Sequence, residues 1–67
     1  MRISYNKLWK MLIDKDMNKH DLVEKSGVST ASVSKLSKGA NITTDVLLKI
    51  CEAMSCHIED ILETIDD

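Results

Sequence analysis

Apolar residues recur at helical spacing along this chain, in short runs each preceded by a residue that can cap a helix. A helix start is marked by a capping side chain with one apolar residue before it and another four positions after it. The cap satisfies free N–H groups, while the two apolar residues staple the entry. The pattern occurs as Ile3-Ser4 with Leu8, Met17-Asn18 with Leu22, Val28-Ser29 with Val33, Ile42-Thr43 with Leu47, and Cys56-His57 with Ile61. Asp21 adds an acid to the first turn after Asn18, which suits the helix dipole. Five short helices are therefore expected, over about 4–15, 18–26, 29–38, 43–54 and 57–65. Their buried stripes would be Tyr5, Leu8 and Leu12 with Met11 or Trp9; Leu22 and Val23; Val33 and Leu36; Leu47, Ile50, Cys51 and Met54; and Ile58, Ile61, Leu62 and Ile65. The fold class read from this is all-α, a single compact five-helix domain over residues 1–67.

The second and third helices are joined by Ser26-Gly27-Val28 alone. Gly27 can take a left-handed conformation at no steric cost, ending one helix and turning the chain. A short turn with glycine between two short helices is the local signature of a helix-turn-helix, here at about 18–38. An αα-corner with a purely structural role uses the same turn, so the outward face of the third helix has to decide between them. At about 100° per residue, Val33 and Leu36 define the inward side, and Ala31, Ser34, Lys35 and Lys38 point away from it. Thr30 lies at the edge. That face is small, polar and basic, and no acidic residue occurs from Gly27 to Lys38. Small side chains permit the close approach that a helix in a DNA major groove requires, and Ser, Thr and Lys can hydrogen-bond base edges or phosphates. The serines also weaken helix propensity, which a merely structural helix has little reason to accept.

Length and charge sharpen this picture. With 67 residues there is room for one small domain and no large catalytic cavity. A chain that is 43% hydrophobic and 30% charged is balanced like a globular protein rather than a disordered tail. Net charge is −2, yet residues 1–40 carry eight Lys/Arg against four Asp/Glu, and residues 41–67 carry one against seven. Such asymmetry hints that one end meets an acidic partner. No run approaches the roughly 20 apolar residues of a membrane span, and the first residues do not resemble a signal peptide, so a soluble, cytoplasmic protein without a membrane partner is expected.

At this point the chain resembles a family. Residues 17–39, MNKHDLVEKSGVSTASVSKLSKG, are similar to the helix-turn-helix of Cro/Xre-type repressors, the lambda-repressor-like DNA-binding domains of phage repressors. The likeness extends over nearly the whole chain, through Leu8, the segment TTDVLLKICEAMSC and the closing short element. Leu22, Gly27, Val28, Val33, Leu36 and the Lys38-Gly39 ending stand where the family places such residues. Val23 replaces the family's usual alanine, Ser26 a small apolar residue, and Lys19 and Thr30 the frequent glutamines. Those departures imply a larger share for phosphate contacts and DNA shape.

The resemblance implies a transcriptional regulator, a repressor, that binds double-stranded operator DNA as a homodimer and inserts the third helix, about 29–38, into the major groove. Thr30, Ala31, Ser34 and Lys35 would face base edges. Asn18, Lys19, Ser29, Ser32, Lys38 and Asn41 would hold phosphates, aided by the partial positive charge at helix N-termini. Arg2, Lys7 and Lys10 either add to this basic side or solvate the first helix.

Other chemistry has little support. Asp14/Asp16 and Glu59/Asp60 are carboxylate neighbours whose helical spacing makes them diverge. Cys51 and Cys56 lack a redox or zinc spacing and read as reduced core residues, His20 as a surface residue and His57 as a cap. No enzyme, cofactor, metal or small-molecule substrate is expected. The acidic C-terminal stretch with Ile58, Ile61, Leu62 and Ile65 is either a solvated face or a dimer seam. The reading from a different class is a protein-interaction module, an antitoxin-like or anti-repressor subunit that keeps the fold without reading DNA.

Overall fold

Three of the expected caps close helices with their own side chains. Asn18 Oδ1 accepts the Asp21 N–H at 2.8 Å, and the Asp21 carboxylate accepts the Asn18 N–H at 3.0 Å. Ser29 Oγ accepts the Ser32 N–H at 3.1 Å, and Thr43 Oγ1 accepts the Val46 N–H at 3.4 Å. In the computed structural model, which describes residues Met1–Asp66, these caps start three of four α-helices. The chain order is β1 (Arg2–Ser4), α1 (Asn6–Asp14), α2 (Lys19–Ser26), α3 (Thr30–Lys38), α4 (Thr44–Met54), one 3-10 turn (Ile58–Asp60) and β2 (Glu63–Ile65).

The first and last expected starts behave differently, and the expectation of five helices is corrected there to four, within a domain that keeps the expected helical class. Ser4 ends a strand instead of opening a helix; it is 7% exposed, and its Oγ accepts the Asn6 N–H at 3.3 Å. The expected helix over 57–65 shrinks to the 3-10 turn, opened by the His57 N–H donating to the Asp60 carboxylate at 2.9 Å. Past it the chain extends into β2, antiparallel to β1 in the register Arg2↔Ile65, Ile3↔Thr64, Ser4↔Glu63. An isolated nine-residue helix is marginal, whereas β-branched Ile3, Thr64 and Ile65 favour the pleat, and pairing gives both end segments partners for their backbone groups. Of the stripe that suggested a helix, Ile61 alone is fully buried, while Ile58 is 37% exposed.

Leu8, Leu22, Leu36, Ile50 and Ile61 form the innermost layer of the core, one from each segment that converges there. Tyr5, Leu12, Val28, Val33, Leu47, Cys51 and Met54 surround them, and Trp9, Met11 and Val23 pack half-buried against the cluster. α2 lies against both α3 and α4. The Lys7 ammonium donates to the Glu59 carbonyl at 3.0 Å, tying α1 to the 3-10 turn. No helix among the described residues is long and apolar enough to cross a membrane.

Candidate nucleic-acid interface

The geometry of the α2–α3 pair is set by its turn. Gly27 adopts φ 76°, and its N–H donates to the Val23 carbonyl, ending α2 in the left-handed conformation that glycine allows. The Ser26 hydroxyl donates to the Leu22 carbonyl at 2.6 Å and accepts the Val28 N–H at 3.3 Å. A small apolar residue could not make that bridge, so Ser26 substitutes hydrogen bonds for packing inside the turn. Val28 is buried, which drives the turn inward, and Ser29 then caps α3.

On α3, Val33 and Leu36 are buried, and Thr30, Ala31, Ser34, Lys35 and Lys38 are exposed. A groove of about 450 Å³ runs between α2 and α3, lined by Lys19, His20 and Val23 from one helix and by Thr30, Val33, Ser34, Ser37 and Lys38 from the other. It brings together four of the expected contact residues: Lys19, Thr30, Ser34 and Lys38. Ala31 and Lys35 lie further round the exposed side of α3, and Asn41 is exposed beyond its end. Val23, where a smaller residue is usual in the resembled family, sits half-buried on the groove wall.

Several of these side chains are already engaged. The Lys19 ammonium stands over the Trp9 ring, 5.0 Å from its centroid, which steadies the cation at the groove mouth. Ser29 Oγ holds the Ser32 N–H and lies 3.1 Å from the Ser32 hydroxyl, so both serines are occupied by the cap in the free protein. In Asn18 the carbonyl oxygen serves the cap, leaving the side-chain NH₂ to donate. Its backbone N–H is taken by Asp21, which sets a carboxylate at the start of α2. Lys7, a candidate for the basic side, is committed to the 3-10 turn by its bond to the Glu59 carbonyl. His20 and Ser37 line the groove without having been expected there; His20 Nε2 lies 3.0 Å from a Glu24 carboxylate oxygen. Their signal was positional, since His20 directly follows Lys19 and Ser37 stands one turn after Ser34, both already assigned to the face.

Charge completes the site. No acidic residue occurs between Glu24 and Asp45, a stretch holding Lys25, Lys35 and Lys38. Lys35 and Lys38 stand in the last turn of α3, and Gly39 closes it at φ 70°. Cations there complement the helix dipole while projecting from an exposed, small-residue face.

A capped helix, a glycine turn and a displayed second helix without acids together define a helix-turn-helix. The chain belongs to the Cro/C1-type HTH DNA-binding domain family, whose model matches residues 7–67. Its fold is similar to the crystal structure of the transcriptional regulator VanUg, with a TM-score of 0.91 and 50% sequence identity, covering 98% of this chain and 88% of that one. Among curated proteins, none matches the chain.

Proposed function

We propose that the protein is a sequence-specific transcriptional regulator, a repressor, that binds operator DNA as a homodimer with α3 in the major groove. The single observation carrying this reading is the exposed, acid-free face of α3 beside the Lys19–Lys38 groove. Membership of a DNA-binding family supports the partner, and the similarity to a transcriptional regulator supports the role.

In this reading Thr30 and Ser34 offer hydroxyls to base edges, Ala31 packs on a thymine methyl, and Lys35 reaches the guanine acceptors. Phosphates are held by Lys19 and Lys38 as cations, by the Asn18 and Asn41 amides, and by Ser29 and Ser32 at the N-terminus of α3, where N–H groups and the helix dipole favour an anion. A homodimer presents two copies of α3 to half-sites about 34–36 Å apart.

In vitro selection of bound duplexes tests this directly. An enriched palindrome with half-sites one helical turn apart is the expected result, and random recovery at low salt would contradict it. Lys35→Glu with Lys38→Glu should abolish enrichment while leaving helical content intact.

A further inference from the structure

Three of the helices end in the same hydrogen-bonded closure, and only one of them sets two cysteines at its paired positions. At α1 the Asp16 N–H donates to the Ile13 carbonyl at 3.1 Å and the Met17 N–H to the Leu12 carbonyl at 2.8 Å. At α3 the corresponding bonds are Gly39 to Leu36 at 3.2 Å and Ala40 to Lys35 at 3.0 Å. At α4 they are Ser55 to Glu52 at 3.4 Å and Cys56 to Cys51 at 3.0 Å, with Ser55 left-handed at φ 55°. This closure folds the residue after the turn back over the last helical turn, so that the two side chains meet, usually as an apolar contact. Leu12 and Met17 follow that usage. Cys51 and Cys56 instead put two free thiols at the paired positions of this closure, joined by the Cys56 N–H to Cys51 carbonyl bond.

We propose that Cys51 and Cys56 form a reversible thiol–disulfide site, oxidised by a low-molecular-weight disulfide and reduced by a low-molecular-weight thiol. The access route is a groove of about 520 Å³ beside the pair, walled by Leu48, Glu52, His57, Ile58 and Glu59. Cys56 is half-buried and Cys51 buried, so Cys56 is the group a reagent meets. Its thiolate attacks one sulfur of the reagent disulfide, the reagent S–S bond breaks, and one thiolate leaves with the electron pair. Cys51 then attacks the Cys56 sulfur, expelling the second thiolate. The two cysteine thiols are oxidised, the reagent disulfide is reduced to two thiols, and the two cysteine protons end on them. The acidic rim of Glu52, Glu59 and Asp60 favours a cationic reagent over an anionic one.

The surroundings set the speed. Burial, the neighbouring Cys51 and the Asp60 carboxylate push the Cys56 thiol up to about 11, and Lys15 pulls the other way. Exchange needs the thiolate, so the site reacts slowly at neutral pH and gains about tenfold in rate per pH unit above it.

The test treats the reduced full chain with cystamine and follows it by mass spectrometry, peptide mapping and non-reducing gels. The expected product has lost two hydrogens, carries a Cys51–Cys56 link, shows no crosslink between chains, and reverts on adding a thiol. Its rate of formation should keep rising through pH 9 toward pH 10. Cys51→Ser should stop at a mixed disulfide on Cys56, with helical content unchanged by circular dichroism. A wild-type protein that stops at the mixed disulfide, links between chains or stays unmodified would overturn the proposal.

Discussion

The α3 side of the domain and the side formed by α4 and the 58–60 turn are closed by the same backbone device and carry opposite chemistry. Around α3 there are Lys35, Lys38 and small hydroxyl side chains, with no acid from Lys25 to Thr44. Around the end of α4 there are Glu52, Glu59 and Asp60, with Leu48 52% and Ile58 37% exposed. The helix endings therefore say nothing about function by themselves. What distinguishes the two sides is which side chains the endings leave displayed, and only the α3 side is suited to a polyanion.

The largest expected effect tests how the acidic side is held together. Ile61 is fully buried and Ile58 is not, so Ile61→Ala should cost about 2–5 kcal/mol and Ile58→Ala well under 1 kcal/mol, measured by chemical denaturation. Equal losses would mean that the terminal segment packs as the helix first expected.

Charge reversal tests the contrast itself. Lys35→Glu with Lys38→Glu should weaken binding to a selected duplex by about 3 kcal/mol or more, whereas Glu52→Lys with Glu59→Lys should leave it unchanged or slightly tighter. Comparable losses from both pairs would erase the distinction between the two sides.

Smaller effects compare the two kinds of helix ending. A Cβ added at Gly27 meets nothing within 4 Å, so Gly27→Ala costs only backbone strain, about 1 kcal/mol. Ser55 already bears such strain at φ 55°, and Ser55→Gly should recover up to about 1 kcal/mol. Thermal melts of the two variants should thus move in opposite directions.

The smallest effect is a pH dependence. The Cys56 thiol is raised from 9.0 to about 11 in the folded protein, which means folding favours its neutral form. Its contribution to stability is fully present below pH 9.0 and is lost as pH rises through about 11. Denaturation midpoints of wild type should fall across that window more steeply than those of Cys56→Ala.

The contrast also explains what could be read in advance. Asn18, Ser29 and Thr43 act through bonds to residues three positions along, so their effect is local, and sequence spacing reveals it. Val33 and Leu36 orient α3 by periodicity alone, which is why its exposed side was legible. The paired termini were not legible, because β1 and β2 are far apart in sequence and the Ile58–Ile65 stripe fits a helix equally well. Long-range partners misled in the same way for Lys7, held by Glu59, while Lys19 is held over Trp9. The left-handed Asp16 and Ser55 carry no glycine to announce their turns.

The central claim, that the cationic side of α3 holds DNA phosphates, is tested most directly by the salt dependence of binding. Association constants for a selected duplex, measured by fluorescence anisotropy over a range of salt, should fall linearly on logarithmic axes. Lys38→Ala should make that slope shallower by about 1 for each protomer bound. A slope that is flat in wild type, or unchanged by Lys38→Ala, would contradict the account.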